Sequence, residues 1–172
     1  PLEALVRSQL YVLVDNACRE YVFLCDFFLV HGGPEAQDLF VHVFSKSLGL
    51  YQTHFDTVIS RECWDSLALY LCIHLLYRYR LVCHKRAVPA LDGFFDAVLK
   101  QLWPRLELLL AMNLQSLHEL EPARHVVLGE SDLRPHFISR RLAEFIGALS
   151  WLNESFPSER TLIDQVLSQL LK

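Results

Sequence analysis

Histidines and cysteines are the residues of this chain that could bind a metal, and their spacing argues against it. The sequence has 172 residues, with 8 His and 5 Cys. No two histidines stand four apart beside the glutamate that an HExxH helix needs, and adjacent residues such as Cys83 and His84 point to different sides of a helix. The cysteines form no CxxC pair and lie in apolar stretches. We therefore predict reduced thiols in a core, and no metal or cofactor.

Motifs for nucleophilic or phosphate chemistry are also absent from the sequence. It contains no GxSxG, GxxxxGK[ST] or GxGxxG pattern, and its one Gly-Gly pair lies between two predicted helices. Asp92 and Asp96 lie one helical turn apart and could form a carboxylate pair, but acids near a helix start more often favour the helix dipole. We predict no catalytic residue. An all-helical enzyme is the alternative, and it would need polar residues such as His74 and Asn113 to face inward into one cleft.

Two groups of basic residues could bind a partner. The first lies near the end of a predicted helix: Arg78, Arg80, His84, Lys85 and Arg86. Cations there also favour the helix dipole, whereas a second group, Arg134, Arg140 and Arg141, lies at a helix start and needs an acidic neighbour or partner. We predict partner binding through five residues: Arg134, Arg140, Arg141, Arg78 and Lys85. Trp103 precedes Pro104 and is predicted to be a packing anchor.

Composition limits the class of protein further. The net charge is −4, with basic residues scattered among acidic ones, so the chain offers no broad positive face for nucleic acid. The most apolar run, Ser66 to Tyr77, is shorter than the roughly 20 residues that cross a bilayer. The chain opens on Pro1-Leu2-Glu3, already in helical pattern, and we expect a piece of a longer protein.

The helices that must position these residues are predicted from apolar residues that recur at spacings of three and four. These spacings predict six helices: Leu2 to about Val30, Pro34 to near Ser60, Cys63 to Lys85, Pro89 to about Leu120, Pro135 to Phe156, and a short helix from Pro157. The third helix is apolar almost all round and is placed at the centre. Short connections favour antiparallel neighbours, so we predict an elongated all-α up-and-down bundle. Residues 1–172 are expected to form one domain, with a loop at 121–134 and a kink at Pro104.

Several stretches in consistent order resemble the vacuolar protein sorting-associated protein 52 family. They are VDNACREYVFLCDFF (Val14 to Phe28), LALYLCIHLLYRYR (Leu67 to Arg80), VPALDGFF (Val88 to Phe95), LWPRLELLLAMNLQSL (Leu102 to Leu117), LRPHFISRRLAEF (Leu133 to Phe145) and NESFPSERT (Asn153 to Thr161). The similarity extends over nearly the whole chain. WPRLELLLAMN and RPHFISRR together are its most specific part.

The resemblance implies a non-catalytic scaffold made of stacked helical bundles. In the family, this subunit is shared by the Golgi-associated retrograde protein complex and the endosome-associated recycling complex. Its expected partners are the other tethering-complex subunits, Rab-type GTPases and SNARE proteins, and its expected location is the cytosolic face of trans-Golgi network and endosome membranes.

This sequence also departs from the family pattern. It has no sustained heptads of the kind that form the family's N-terminal coiled coil, so assembly of the complex is expected to lie outside this piece. The segment at 121–132 is longer than expected. Two other classes stay open: a helical rod of exocyst or conserved oligomeric Golgi type, and a peripheral membrane binder.

Overall fold

The computed structural model describes residues 2–119 and 136–155, together with Asp164 and Ser168. These residues form five α-helices and no strand, which confirms the predicted all-α class. The helices are α1 (Leu2–Phe27), α2 (Gly33–His54), α3 (Ser66–Lys85), α4 (Asp92–His118) and α5 (Phe137–Ser155). A π-helical segment, Phe55–Arg61, follows α2, and a 3₁₀ turn, Pro89–Leu91, precedes α4. The predicted loop at 121–134 and the short helix predicted from Pro157 lie outside the described residues.

The chain divides into two compact units, residues 1–107 and 108–172. Helix α4 contributes to both, because it continues through Pro104 to His118. Whether the two units act as a single domain, as the sequence predicts, stays a prediction.

In the first unit, α1 and α2 run in opposite directions. The Gln9 amide nitrogen lies 3.1 Å from Nε2 of His54, so the start of α1 meets the end of α2. Further along α1, the rings of Tyr21 and Phe40 meet edge to face at 6.2 Å. The predicted antiparallel arrangement of this pair is confirmed.

Helix α3 runs parallel to α1. The Tyr79 hydroxyl donates to the Arg7 carbonyl at 3.2 Å, and Arg86 lies 3.5 Å from Asp15 one to two turns further along both helices. Helix α4 then reverses direction, because Trp103 Nε1 donates to the Tyr77 hydroxyl at 3.2 Å while the start of α4 meets the end of α3. Helices α1 to α4 therefore follow an up-and-down order.

The core of this unit is built around α3, as predicted for its central helix. Five consecutive residues of α3, from Cys72 to Leu76, are buried, which requires neighbours on all sides. The part of the predicted apolar stripe of α4 that lies in this unit is buried: Leu91, Phe95, Val98, Leu102 and Leu106. Leu109, which belongs to the second unit, is buried as well. Asp65 begins α3 as its N-cap, since its Oδ1 accepts from the backbone N–H of Leu67 and of Ala68, each at 3.0 Å.

Helices α1 and α3 end in the same way, with a residue in the left-handed conformation. Leu29 and Ala87 both have φ of 55°, and the next residue in each case donates to a carbonyl five positions back. This is the Schellman ending that glycine usually forms. Because the chain turns at Leu29, α1 ends earlier than predicted and Phe28 is exposed, which corrects its placement on the buried stripe.

In the second unit, α5 buries Leu149 and Leu152, while Ile138, Leu142 and Phe145 are half-buried, so the predicted amphipathic face is confirmed. Asn153, buried near the end of α5, donates to Asp164 at 2.7 Å. Asn113 on α4 is exposed, and the expectation that it faces inward is wrong.

Candidate partner-binding surfaces

The basic residues at the end of α3 are mostly engaged within the first unit. Arg80 places its Nε 3.0 Å from Asp92 and its Nη1 2.7 Å from Asp96, so one guanidinium joins both acids at the start of α4. Burial alone would lower the pKa of Arg80, but the two carboxylates outweigh it and raise that pKa. His84 adds a second contact to Asp92, at 2.8 Å. The two aspartates thus hold α3 to α4 rather than forming a carboxylate pair.

Two of the predicted partner-binding residues stand apart from this network. Within the part of the chain that the structure describes, Arg78 and Lys85 are exposed and make no ion pair. Arg86, by contrast, lies near Asp15 of α1. A cation without an internal partner is available to an external one.

Arg78 lies on a groove between α1 and α3 that has a volume of about 280 Å³. Its basic side chains are Arg7, Arg78 and Arg86, and Asp15 is its one acid. Sequence reasoning missed Arg7 because nothing in the local pattern links it to α3. Lys85 does not line this groove.

Arg140 and Arg141 lie side by side on the exposed face of α5 and share one acid. Glu144 is 3.9 Å from Arg140 and 3.7 Å from Arg141, and all three side chains are more than half exposed. Positive charge at a helix start needs an acidic neighbour, and Glu144 is that neighbour here. One carboxylate cannot neutralise two guanidinium groups. Arg134 lies outside the described residues.

Exposed aromatic residues mark the end of α1, another surface that sequence reasoning missed. Phe23 stacks on Phe27 at 5.6 Å, and Phe27 meets Phe28 at 5.0 Å. Leu29 beside them is 82% exposed. The predicted apolar stripe leaves Phe23 and Phe27 off the buried face, which is the signal that could have revealed this surface.

The buried titratable groups do not form a catalytic arrangement within the described ranges. Burial lowers the pKa of His74 to about 4, so this ring is neutral, and it packs against Tyr70 at 4.3 Å. Burial also raises the pKa of Cys72 and of Cys83 to about 12. All five cysteines are free and four are buried, which confirms the predicted core thiols.

Two features are absent from the described residues. No group of three or more His, Cys, Asp or Glu side chains there could hold a metal ion. No helix among these residues has both the length and the apolar character to cross a membrane.

These features place the described residues in the all-helical class of proteins, with exposed cations on the surface. The family model described as "Vps52, C-terminal" matches residues 1–172. The chain belongs to this family.

Relatives from animals, plants and yeast show the same similarity. The human vacuolar protein sorting-associated protein 52 homolog is 49% identical over 170 residues, which is 99% of this chain and 22% of that protein. Protein 52 A of Arabidopsis thaliana is 35% identical over 91% of this chain and 21% of its own length, and the Schizosaccharomyces pombe protein 52 is 26% identical over 88% and 29%. The chain thus spans about a fifth of the human and plant relatives. No solved structure matches it.

Proposed function

We propose that this chain is a non-catalytic scaffold segment of a vesicle-tethering complex subunit. It acts in endosome-to-trans-Golgi retrograde transport and endosomal recycling, on the cytosolic face of those membranes, and presents surfaces to partner subunits or to a Rab-type GTPase. The observation that carries this proposal is the family match over residues 1–172. The exposed, unneutralised arginines support it, because Arg is enriched among the residues that dominate protein interfaces.

The partner-binding residues of this proposal are Arg78 and Lys85 on α3, Arg140 and Arg141 on α5, and Arg134. Arg140 and Arg141 are the first to test, because they are adjacent, exposed and share only Glu144. A partner carboxylate could form paired hydrogen bonds with either guanidinium. The SNARE machinery is a further candidate partner, reached through the assembled complex.

The test is a pull-down of the purified chain against a panel of Rab-type GTPases, each loaded with GTP or GDP, and against the other tethering-complex subunits. The double variant Arg140→Glu with Arg141→Glu is compared with Arg19→Glu, since Arg19 is an exposed arginine paired with Asp15 on α1. GTP-dependent binding that the double variant loses and Arg19→Glu keeps supports a GTPase contact on α5.

Binding to a partner subunit alone supports the scaffold role without a GTPase. Absence of binding to every GTPase and subunit, by a chain whose circular dichroism is that of a folded helical protein, overturns the proposed partner role for this segment. The inward-facing pair named for the enzyme alternative is not formed, because Asn113 is exposed while His74 is buried.

A further inference from the structure

The groove between α1 and α3 combines positive charge with an apolar floor. Its floor includes Val14 and Leu75, both buried, together with Val82. Its walls carry two tyrosines, Tyr11 and Tyr79. Arginine and tyrosine around an apolar floor are the combination found at the energetic centres of protein interfaces.

Two of the three arginines that line the groove, Arg7 and Arg78, are available to an external carboxylate. Arg78 makes no ion pair among the described residues, and Arg7 pairs only with Glu3 on its own helix, where its side chain is 59% exposed. Exposed ion pairs four residues apart on a helix stabilise it only weakly, so Arg7 can exchange Glu3 for another carboxylate at little cost. Arg86 lies 3.5 Å from Asp15 at the far end of the groove, so the charges of these two side chains offset each other there.

The geometry of the groove is fixed by the two helices. The Tyr79 hydroxyl donates to the Arg7 carbonyl at 3.2 Å, and this bond holds α3 against α1 next to Arg7 and Arg78. Arg78, Val82 and Arg86 follow one another at four-residue steps, so the α3 side of the groove extends about 12 Å. That length fits about two turns of a docked helix or four extended residues.

We propose that this groove binds an acidic segment of a partner protein. One carboxylate lies between Arg7 and Arg78, and a neighbouring apolar side chain packs on Val14, Leu75 and Val82. Guanidinium groups form paired hydrogen bonds with carboxylates, and no acid within the groove competes at this end, since Asp15 lies beside Arg86.

An anionic membrane is the competing occupant, and the observations favour the protein segment. The arginines lie around a concave groove, which a flat bilayer surface cannot enter. The chain as a whole carries a net charge of −4, which disfavours a broad approach to anionic lipid. This inference rests on the proposed scaffold role, since a scaffold needs partners, but it names the chemistry of one contact and not the identity of the partner.

The test selects ligands without assuming a partner. A phage library of random 12-residue peptides is panned on the 172-residue chain, and recovered peptides are synthesised with a fluorophore and titrated by fluorescence anisotropy. We expect peptides rich in Asp and Glu, with binding at least tenfold weaker for Arg78→Glu and Arg7→Glu, and weaker as salt rises. Lys100→Glu is the matched control, since Lys100 is an exposed cation on α4 outside the groove, and we expect a change below twofold.

Arg78→Gln guards against misfolding of the reversed variant. It removes the charge without adding a repulsive one, and circular dichroism checks that both variants remain helical. Recovered peptides without acidic residues, or acidic peptides that bind both Arg78 variants as tightly as the original chain, overturn the proposal.

Vesicles of phosphatidylcholine with phosphatidylserine provide the second arm. Binding to these vesicles that needs Arg78, without recovery of acidic peptides, overturns the protein-segment proposal in favour of a membrane contact. Failure of the peptide test leaves the pull-downs of the α5 variants unaffected, so the two proposals fail separately.

Discussion

The guanidinium of Arg105 lies 4.5 Å from the centre of the Trp64 ring. The same side chain donates through Nη2 to the carbonyl of Cys63 at 3.0 Å and to that of Arg61 at 3.3 Å. A residue of α4 thereby holds the connection between the π-helical segment and α3, where Trp64 is otherwise exposed.

Arg105→Met should lower the free energy of unfolding by about 2 kcal/mol, because two carbonyls lose a charged donor and the indole loses its cation. Arg105→Lys should lose about half as much, since lysine keeps the charge but not the planar fork. Urea denaturation followed by circular dichroism measures both. Arg19→Met, at an exposed arginine, should change stability by less than about 0.5 kcal/mol. A loss for Arg19→Met as large as that for Arg105→Met would contradict this role of Arg105.

Asp65→Ala should lower stability by about 1 kcal/mol, because the backbone N–H groups of Leu67 and Ala68 lose their acceptor. Asp65→Asn keeps an oxygen at the cap and should retain most of that stability. Thermal denaturation of the two variants in parallel makes the comparison. Equal melting temperatures for Asp65→Ala and the original chain would show that the cap does not stabilise α3.

Ala87→Gly should raise stability by roughly 0.5–1 kcal/mol, because Ala87 has φ of 55° and glycine adopts this conformation without a Cβ clash. The same substitution at Ala111, an exposed residue inside α4, should lower stability by about 1 kcal/mol. Opposite shifts of the denaturation midpoint are the expected result. A fall for Ala87→Gly would mean that the entropy of the unfolded glycine outweighs the relief of strain.

His74 should make the protein less stable in acid. Its pKa in the folded chain is about 4, below the ordinary value of 6.5, so between these values the unfolded state binds a proton that the folded state excludes. Stability from this group is complete above pH 6.5 and is lost as pH falls toward 4. From pH 7 to pH 5 the loss should be about 2 kcal/mol.

His74→Gln removes the titrating ring and serves as the comparison. The difference in stability between the original chain and His74→Gln should shrink or reverse between pH 7 and pH 5. Parallel curves for the two proteins across this range would show that His74 is not excluded from protonation.

The sequence predicts the helices of this protein better than their ends. The apolar character of α3 on almost all sides placed it at the centre. The repeat of three and four in α4 predicted its buried face, because a continuous buried stripe leaves such a repeat in the chain. Helix α3 ends at Lys85 as predicted, but α1 ends at Phe27 rather than near Val30, because its end depends on Leu29 in a conformation that leucine does not favour. No local pattern indicates such a turn when glycine is absent.

The candidate surfaces divide in a similar way. Arg78 and Lys85 could be named from charge alone, but their availability depends on Asp92, Asp96 and Asp15 engaging the other cations. The groove could not be predicted, because Arg7 and Tyr79 meet across 72 positions of sequence. Contacts at that separation follow from the packing of parallel helices.

The π-helical segment Phe55–Arg61 gives the chain a place where its length can change. A π-helical turn bonds each residue to the fifth along rather than the fourth, so it holds an additional residue in each turn. Removing exposed Thr57 would leave buried Phe55 and Ile59 three positions apart, still on one face of an ordinary α-helix. The same deletion in α3 would rotate half of its fully enclosed side chains away from their neighbours. Loss of one residue from this segment should therefore leave the fold intact, whereas loss of one residue from the enclosed part of α3 should not.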